Sequence, residues 1–221
     1  MTEGLRPVRP FLIVSLLISL IIAVHFIPPL TLVRPFSAKH LGLRYNWIWP
    51  LDCVWMAYLF CRLTGTPLRY ADSSAKRIVG GWCLGMSAGV GLQTTFWLLG
   101  LRRGFHFRGV EGELLAFQTL ESYAEELLFR GAFQNYLGRR WLGESGKRFT
   151  ASLIAGLFIS IEFGLIHGLN PILAGRAGFD WGWFVGTFFL SLLSSLAFAS
   201  SSTLPAPYGV HLAFNYISNF F

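Results

Sequence analysis

The stretch Ala151-Ser-Leu-Ile-Ala-Gly-Leu-Phe-Ile-Ser-Ile-Glu162-Phe163-Gly-Leu-Ile-His167 decides how this chain is built. It is apolar almost throughout, yet it holds a carboxylate and an imidazole. Gly168 and Asn170-Pro171 follow it and read as a stop. The spacing therefore predicts a hydrophobic helix with two polar side chains that must find partners within the protein. Downstream come a second apolar run, Trp183 to Ala199, a loop, Ser200 to Pro207, and a final segment, Tyr208 to Phe221. Upstream lies a run of different character, about Glu113 to Leu137. It is helical by pattern but carries Glu113, Glu121, Glu125, Glu126 and Arg130.

Three further apolar runs complete the chain toward its start. Ile78 to Leu99 contains Gly80, Gly81, Gly85, Gly89 and Gly91, and small residues let helices approach closely in lipid. That predicts a central position in the bundle. Trp47 to Leu63 holds Asp52. Phe11 to Ile27 follows Arg6 and Arg9 and closes at Pro28-Pro29. No small-x-small cleavage pattern follows it, so it reads as a membrane helix rather than a signal peptide.

Composition agrees. Of 221 residues, 53% are hydrophobic and 13% charged, with a mean hydropathy of +0.52. Soluble domains carry about 25% charged residues, so this chain cannot cover a water-facing surface. At about 20 residues per span, the expected fold is an all-α, polytopic transmembrane bundle of about seven to eight helices. It forms one domain over residues 1–221, with its polar core at about 113–221. The net charge of +7 comes from clusters between the apolar runs, such as Arg69, Lys76 and Arg77, or Arg139, Arg140, Lys147 and Arg148. Clusters so placed anchor helices to anionic headgroups and do not indicate nucleic acid. With the N-terminus cytoplasmic, the basic segments 62–77 and 139–148 fall on the inner side. Cys53, Cys61 and Cys83 sit in apolar runs with no CxxC spacing, and read as small buried hydrophobes.

A charged side chain at the centre of a membrane helix costs at least about 2.5–3.5 kcal/mol. Polar residues within the spans are therefore functional candidates. Three sets stand out. Glu125-Glu126-Leu-Leu-Phe-Arg130 places Glu126 and Arg130 one turn apart, able to pair, with Glu125 turned about 100° away. Phe163 and His167 share a face, as do His211 and Asn215. Each set alone has a structural explanation: a salt-bridged helix, a satisfied buried histidine, interhelical hydrogen bonds. Together they put two carboxylates, two imidazoles and a carboxamide on three separate apolar helices.

The trio EExxxR, FxxxH and HxxxN resembles the motif set of the CAAX-protease and bacteriocin-processing family. The resemblance covers Glu121 to Asn215; the first half of the chain matches only as hydrophobic helices. It implies an intramembrane glutamic-type endopeptidase. Carried over, Glu125 is the general base, His167 orients the attacking water, and His211 and Asn215 stabilise the oxyanion. Glu126, Arg130 and Phe163 support them. A carboxylate withdrawn from bulk water is a stronger base, and a lost oxyanion donor costs about 2.7–4 kcal/mol.

No cofactor and no bound metal are expected. The implied partners are the lipid bilayer and a protein or peptide substrate: a prenylated protein, a leader peptide or a C-terminal sorting signal. The small size and short loops suggest a prokaryotic cytoplasmic membrane.

Other readings exist. Gly85-Met-Ser87-Ala-Gly89 fits GxSxG, but no strand precedes it and helix packing explains its glycines. Glu125, His167 and His211 could converge on zinc, although HExxH is absent. Gly143-Glu-Ser-Gly146-Lys147 fails the P-loop spacing. A non-catalytic immunity or binding protein would not need all four polar residues. A transporter would carry an inverted repeat, and none is visible.

Overall fold

The computed structural model describes residues 12–17, 48–68, 74–101, 111–142, 148–173 and 178–219. These are helical, with no strand among them. In chain order they form α1 (residues 12–17), α2 (Ile48–Thr64), α3 (Ala75–Leu98), α4 (Gly112–Glu126), a π-helical segment (Leu127–Gln134), α5 (Asn135–Leu142), α6 (Arg148–Leu173), α7 (Trp181–Ser201) and α8 (Pro205–Ser218). The all-α bundle is the expected fold. Among the described residues two helices, over Phe149–Leu169 and Trp181–Ser201, are long and apolar enough to cross a bilayer. Of the first apolar run, 11–27, only 12–17 fall within the described residues.

Glycine sets the position of α8. Gly81, Gly85, Gly89 and Gln93 recur every fourth residue and form one stripe on α3. A Cβ on Gly85 would collide with the carbonyl oxygen of Ala206, and one on Gly89 with that of Val210. From the other side, a Cβ on Gly209 would stand 2.5 Å from the Trp82 carbonyl oxygen. At the end of the stripe, the Gln93 side-chain amide donates to the Phe214 carbonyl at 2.9 Å. Backbone thus meets backbone along the seam, and the contacts advance together from 81 to 93 and from 206 to 214. The two helices run parallel. The central position expected of this glycine-rich helix is not seen. Among the described residues α3 packs through its stripe on α8 and touches α7, while Val79, Leu84, Val90 and Leu98 are exposed. A run of glycines lets one neighbour come close without burying the other faces.

Four further sequence expectations need correction. The helix carrying His167 does not stop at Asn170-Pro171 but continues to Leu173. A proline in the final turn removes only one backbone hydrogen bond, and the Gly168 carbonyl accepts a bond from the Asp180 amide at 2.9 Å. The last helix starts at Pro205, inside the expected loop, because proline suits the first helical position. The run 113–137 is not one α-helix: its centre is the π segment. Finally, Cys53 and Cys61 are buried but Cys83 is exposed. It lies off the α3 stripe that faces α8.

The rest of the bundle packs by aromatic and small-residue contacts. Phe60 of α2 meets Phe133 and Tyr136 edge-on at 4.8 and 5.0 Å. Gly164 of α6 lies under Phe184 and Phe188 of α7, leaving 3.1 Å for a Cβ. Ser15 of α1 donates to Glu162 at 2.9 Å, which gives that carboxylate a partner.

Candidate active site

The polar residues of α4, the π segment and α8 meet in the interior. Glu125, Glu126, Arg130 and His211 are 3, 1, 0 and 3% exposed. Burial at this level demands partners, and each has them. The Nδ1–H of His211 donates to Glu126 Oε1 at 2.9 Å. The second oxygen of Glu126 lies 3.1 Å from Arg130 Nε, an ion pair by distance rather than an aligned hydrogen bond. Arg130 Nη2 donates to the Ser191 carbonyl at 2.8 Å and to its Oγ at 2.7 Å. Glu126 therefore joins α4, the π segment and α8, and Arg130 extends the chain to α7. The i,i+4 pairing read from the spacing is present.

Glu125 is turned away from Arg130, but it is less free than its spacing suggested. Its Oε2 stands 3.6 Å from His211 Nε2, beyond hydrogen-bonding distance. Its Oε1 accepts a 2.6 Å bond from the indole N–H of Trp49 on α2. The His211 ring thus lies between two carboxylates, one on each nitrogen.

His167 enters from α6. Its Nδ1 contacts the Phe163 carbonyl at 2.8 Å. A carbonyl only accepts, so Nδ1 carries the proton, and in the neutral ring Nε2 keeps its lone pair. The Phe163 ring connects the two histidines: its centroid is 4.4 Å from that of His167 and 5.9 Å from that of His211. The Arg130 guanidinium also sits over this ring, at 5.6 Å. Phe163 does more than hold one imidazole; it is the hub around which three cationic or potentially cationic side chains are set.

Asn215 lies one turn beyond His211 and donates to Ser122 Oγ at 3.1 Å. Further along, Tyr216 Oη and Thr119 Oγ1 are 2.6 Å apart, and Asn219 and Gln118 exchange amide bonds. The partners run 126, 122, 119, 118 on one helix against 211, 215, 216, 219 on the other. This is an antiparallel polar seam, with the HxxxN pair as its innermost rungs.

Ser87 is excluded from this assembly. It is exposed and its hydroxyl bonds the Cys83 carbonyl of its own helix at 3.0 Å. The glycines that completed the GxSxG pattern are the ones that pack against α8. Among the described residues, no group of three or more His, Cys, Asp or Glu side chains is arranged to hold a metal ion.

Three participants went unread in the sequence: Trp49, Ser122 and Ser191. A tryptophan at the start of an apolar run has no distinguishing pattern. Ser191 had a weak signal, since Ser191, Ser194 and Ser195 interrupt an apolar run and all are fully buried.

Compared with known proteins, residues 112–217 match the family described as Type II CAAX prenyl endopeptidase Rce1-like. The matched part spans α4 to α8 and contains all three motifs. No curated protein and no solved structure matches the chain.

Proposed function

We infer that this chain, whose second half belongs to the Type II CAAX prenyl endopeptidase Rce1-like family, is a multi-pass intramembrane endopeptidase of glutamic type. It acts on the C-terminal region of a prenylated or otherwise membrane-bound protein, in a prokaryotic cytoplasmic membrane. The observation that carries this reading is the buried Glu125–His211–Glu126 cluster inside the matched segment.

Energetics favour catalysis over mere cohesion. Hydrogen bonds between membrane helices are worth about 0.6 kcal/mol on average. Burying a carboxylate costs several times that. The cluster is therefore an expensive way to hold helices together, and residues retained at such cost inside a membrane are functional candidates.

The chemistry follows from the groups present. Glu125 takes a proton from a water molecule as the water oxygen attacks the scissile carbonyl carbon. His167, with its Nε2 lone pair, accepts the second hydrogen of that water and orients it. The carbonyl oxygen becomes an oxyanion and is stabilised by the Asn215 amide and by the Nε2–H of a His211 ring that carries both protons, its Nδ1–H being held by Glu126. The C–N bond then breaks, and the proton held by Glu125 passes to the leaving amine. Glu126 and Arg130 neutralise each other, and Glu126 fixes the His211 ring through Nδ1, as a buried carboxylate does for the histidine of a catalytic triad.

The test is cleavage of a fluorogenic, farnesylated C-terminal peptide by purified protein in lipid nanodiscs. Cleavage by the wild type and its loss in His167→Ala support the reading. Absence of cleavage of farnesylated, leader-type and sorting-signal peptides alike removes it.

A further inference from the structure

The shortest side-chain hydrogen bond to the proposed base comes from outside the segment that carries the family motifs. Trp49 lies in the first turn of α2, and its indole N–H reaches Glu125 Oε1 at 2.6 Å. An indole nitrogen can only donate. At 2.6 Å the bond lies at the short end of the N–H···O range.

A glutamate held at Cα alone can turn its carboxylate, because the terminal torsion is broad and nearly two-fold. Either oxygen could then face the reacting water. Here Oε1 is occupied by the indole, and Oε2 is the oxygen directed toward His211 Nε2 at 3.6 Å. We propose that Trp49 is a positioning residue: its N–H clamps one oxygen of Glu125 so that the other alone works on water beside His211. This deepens the endopeptidase reading and rests on it. It also gives α2 a role beyond wrapping the bundle. That helix is held independently by Phe60 against Phe133 and Tyr136, so loss of the N–H alone leaves its docking intact.

The experiment uses the full chain in nanodiscs and the farnesylated fluorogenic peptide. Three proteins are compared with wild type: Trp49→Phe, Trp49→His, and a protein with 3-benzothienylalanine at position 49, which replaces only the indole N–H by sulfur. A misplaced base lowers the rate of the chemical step without changing ground-state binding. The expected result is a fall in kcat of about tenfold to a hundredfold for the Phe and benzothienyl proteins. KM should stay within about twofold, and kcat should recover in part for Trp49→His, which keeps a ring N–H. Wild-type kcat in the benzothienyl protein overturns the proposal, as does a loss in Trp49→His equal to that in Trp49→Phe.

A second reading does not depend on activity. The Trp49 indole 15N–1H resonance, assigned by its loss in Trp49→Phe, should shift in Glu125→Gln. An unmoved resonance overturns the clamp whatever the assay gives. A shifted resonance in a protein that cleaves no peptide sinks the endopeptidase reading while the Trp49–Glu125 contact stands.

Discussion

The two faces of α8 are built on opposite principles. Toward α3 it is dry, with glycines letting the two backbones touch and Gln93 as a polar tie at the end. Toward α4 it is polar, with four successive side-chain rungs from Glu126–His211 to Gln118–Asn219. On the first face the helices run parallel and contact is set by the absence of side chains. On the second they run antiparallel and contact is set by hydrogen bonds. The dry face fixes where α8 lies, so the wet face can hold His211 and Asn215 at defined positions. Rigid support behind a site is what precise geometry requires.

This division can be broken from either side. The largest effect is expected at the dry seam. Gly85→Val places two methyl groups where the Ala206 carbonyl lies. Overpacking usually costs about 1–3 kcal/mol; with backbone as the obstacle the helices must separate, and folded protein should be lost from detergent-solubilised size-exclusion profiles. Next is Arg130→Ala. It leaves Glu126 buried without its cation, at a cost of about 3–5 kcal/mol, visible as a lowered thermal midpoint along with lost activity. His211→Ala should keep the fold, because the glycine seam still holds α8, but lower kcat by about a hundredfold to a thousandfold. Asn215→Ala removes a rung worth about 0.6 kcal/mol in stability; its effect on kcat should exceed that on the thermal midpoint. Ser87→Ala should change neither beyond about 0.5 kcal/mol, since its hydroxyl only serves its own helix.

What the sequence made legible follows the same division. Polar residues are conspicuous in an apolar run, so Glu125, Glu126, Arg130, His167, His211 and Asn215 could be singled out. The stripe of glycines on α3 was readable as a close-packing face, but glycine content alone did not tell that most of the rest of this helix stays exposed. Trp49 was not readable, because tryptophan is common where a membrane helix begins and only the third dimension brings it to Glu125. Neither was the π segment. Its residues Leu127 to Gln134 suit an α-helix equally well, and the wider winding is known only from the backbone. Such segments often accompany functional sites, and this one carries Arg130. Helix ends misled at both prolines, since Pro171 and Pro205 are a final-turn and a first-turn residue rather than breaks.

Glu125 is the group proposed to take the proton from water. Glu125→Gln keeps the size of the side chain and removes the base. In nanodiscs, with the farnesylated peptide under single-turnover conditions, the wild type should cleave. The Gln protein should show no cleavage above background while keeping the wild-type thermal midpoint. Equal cleavage rates for the two proteins would contradict the account.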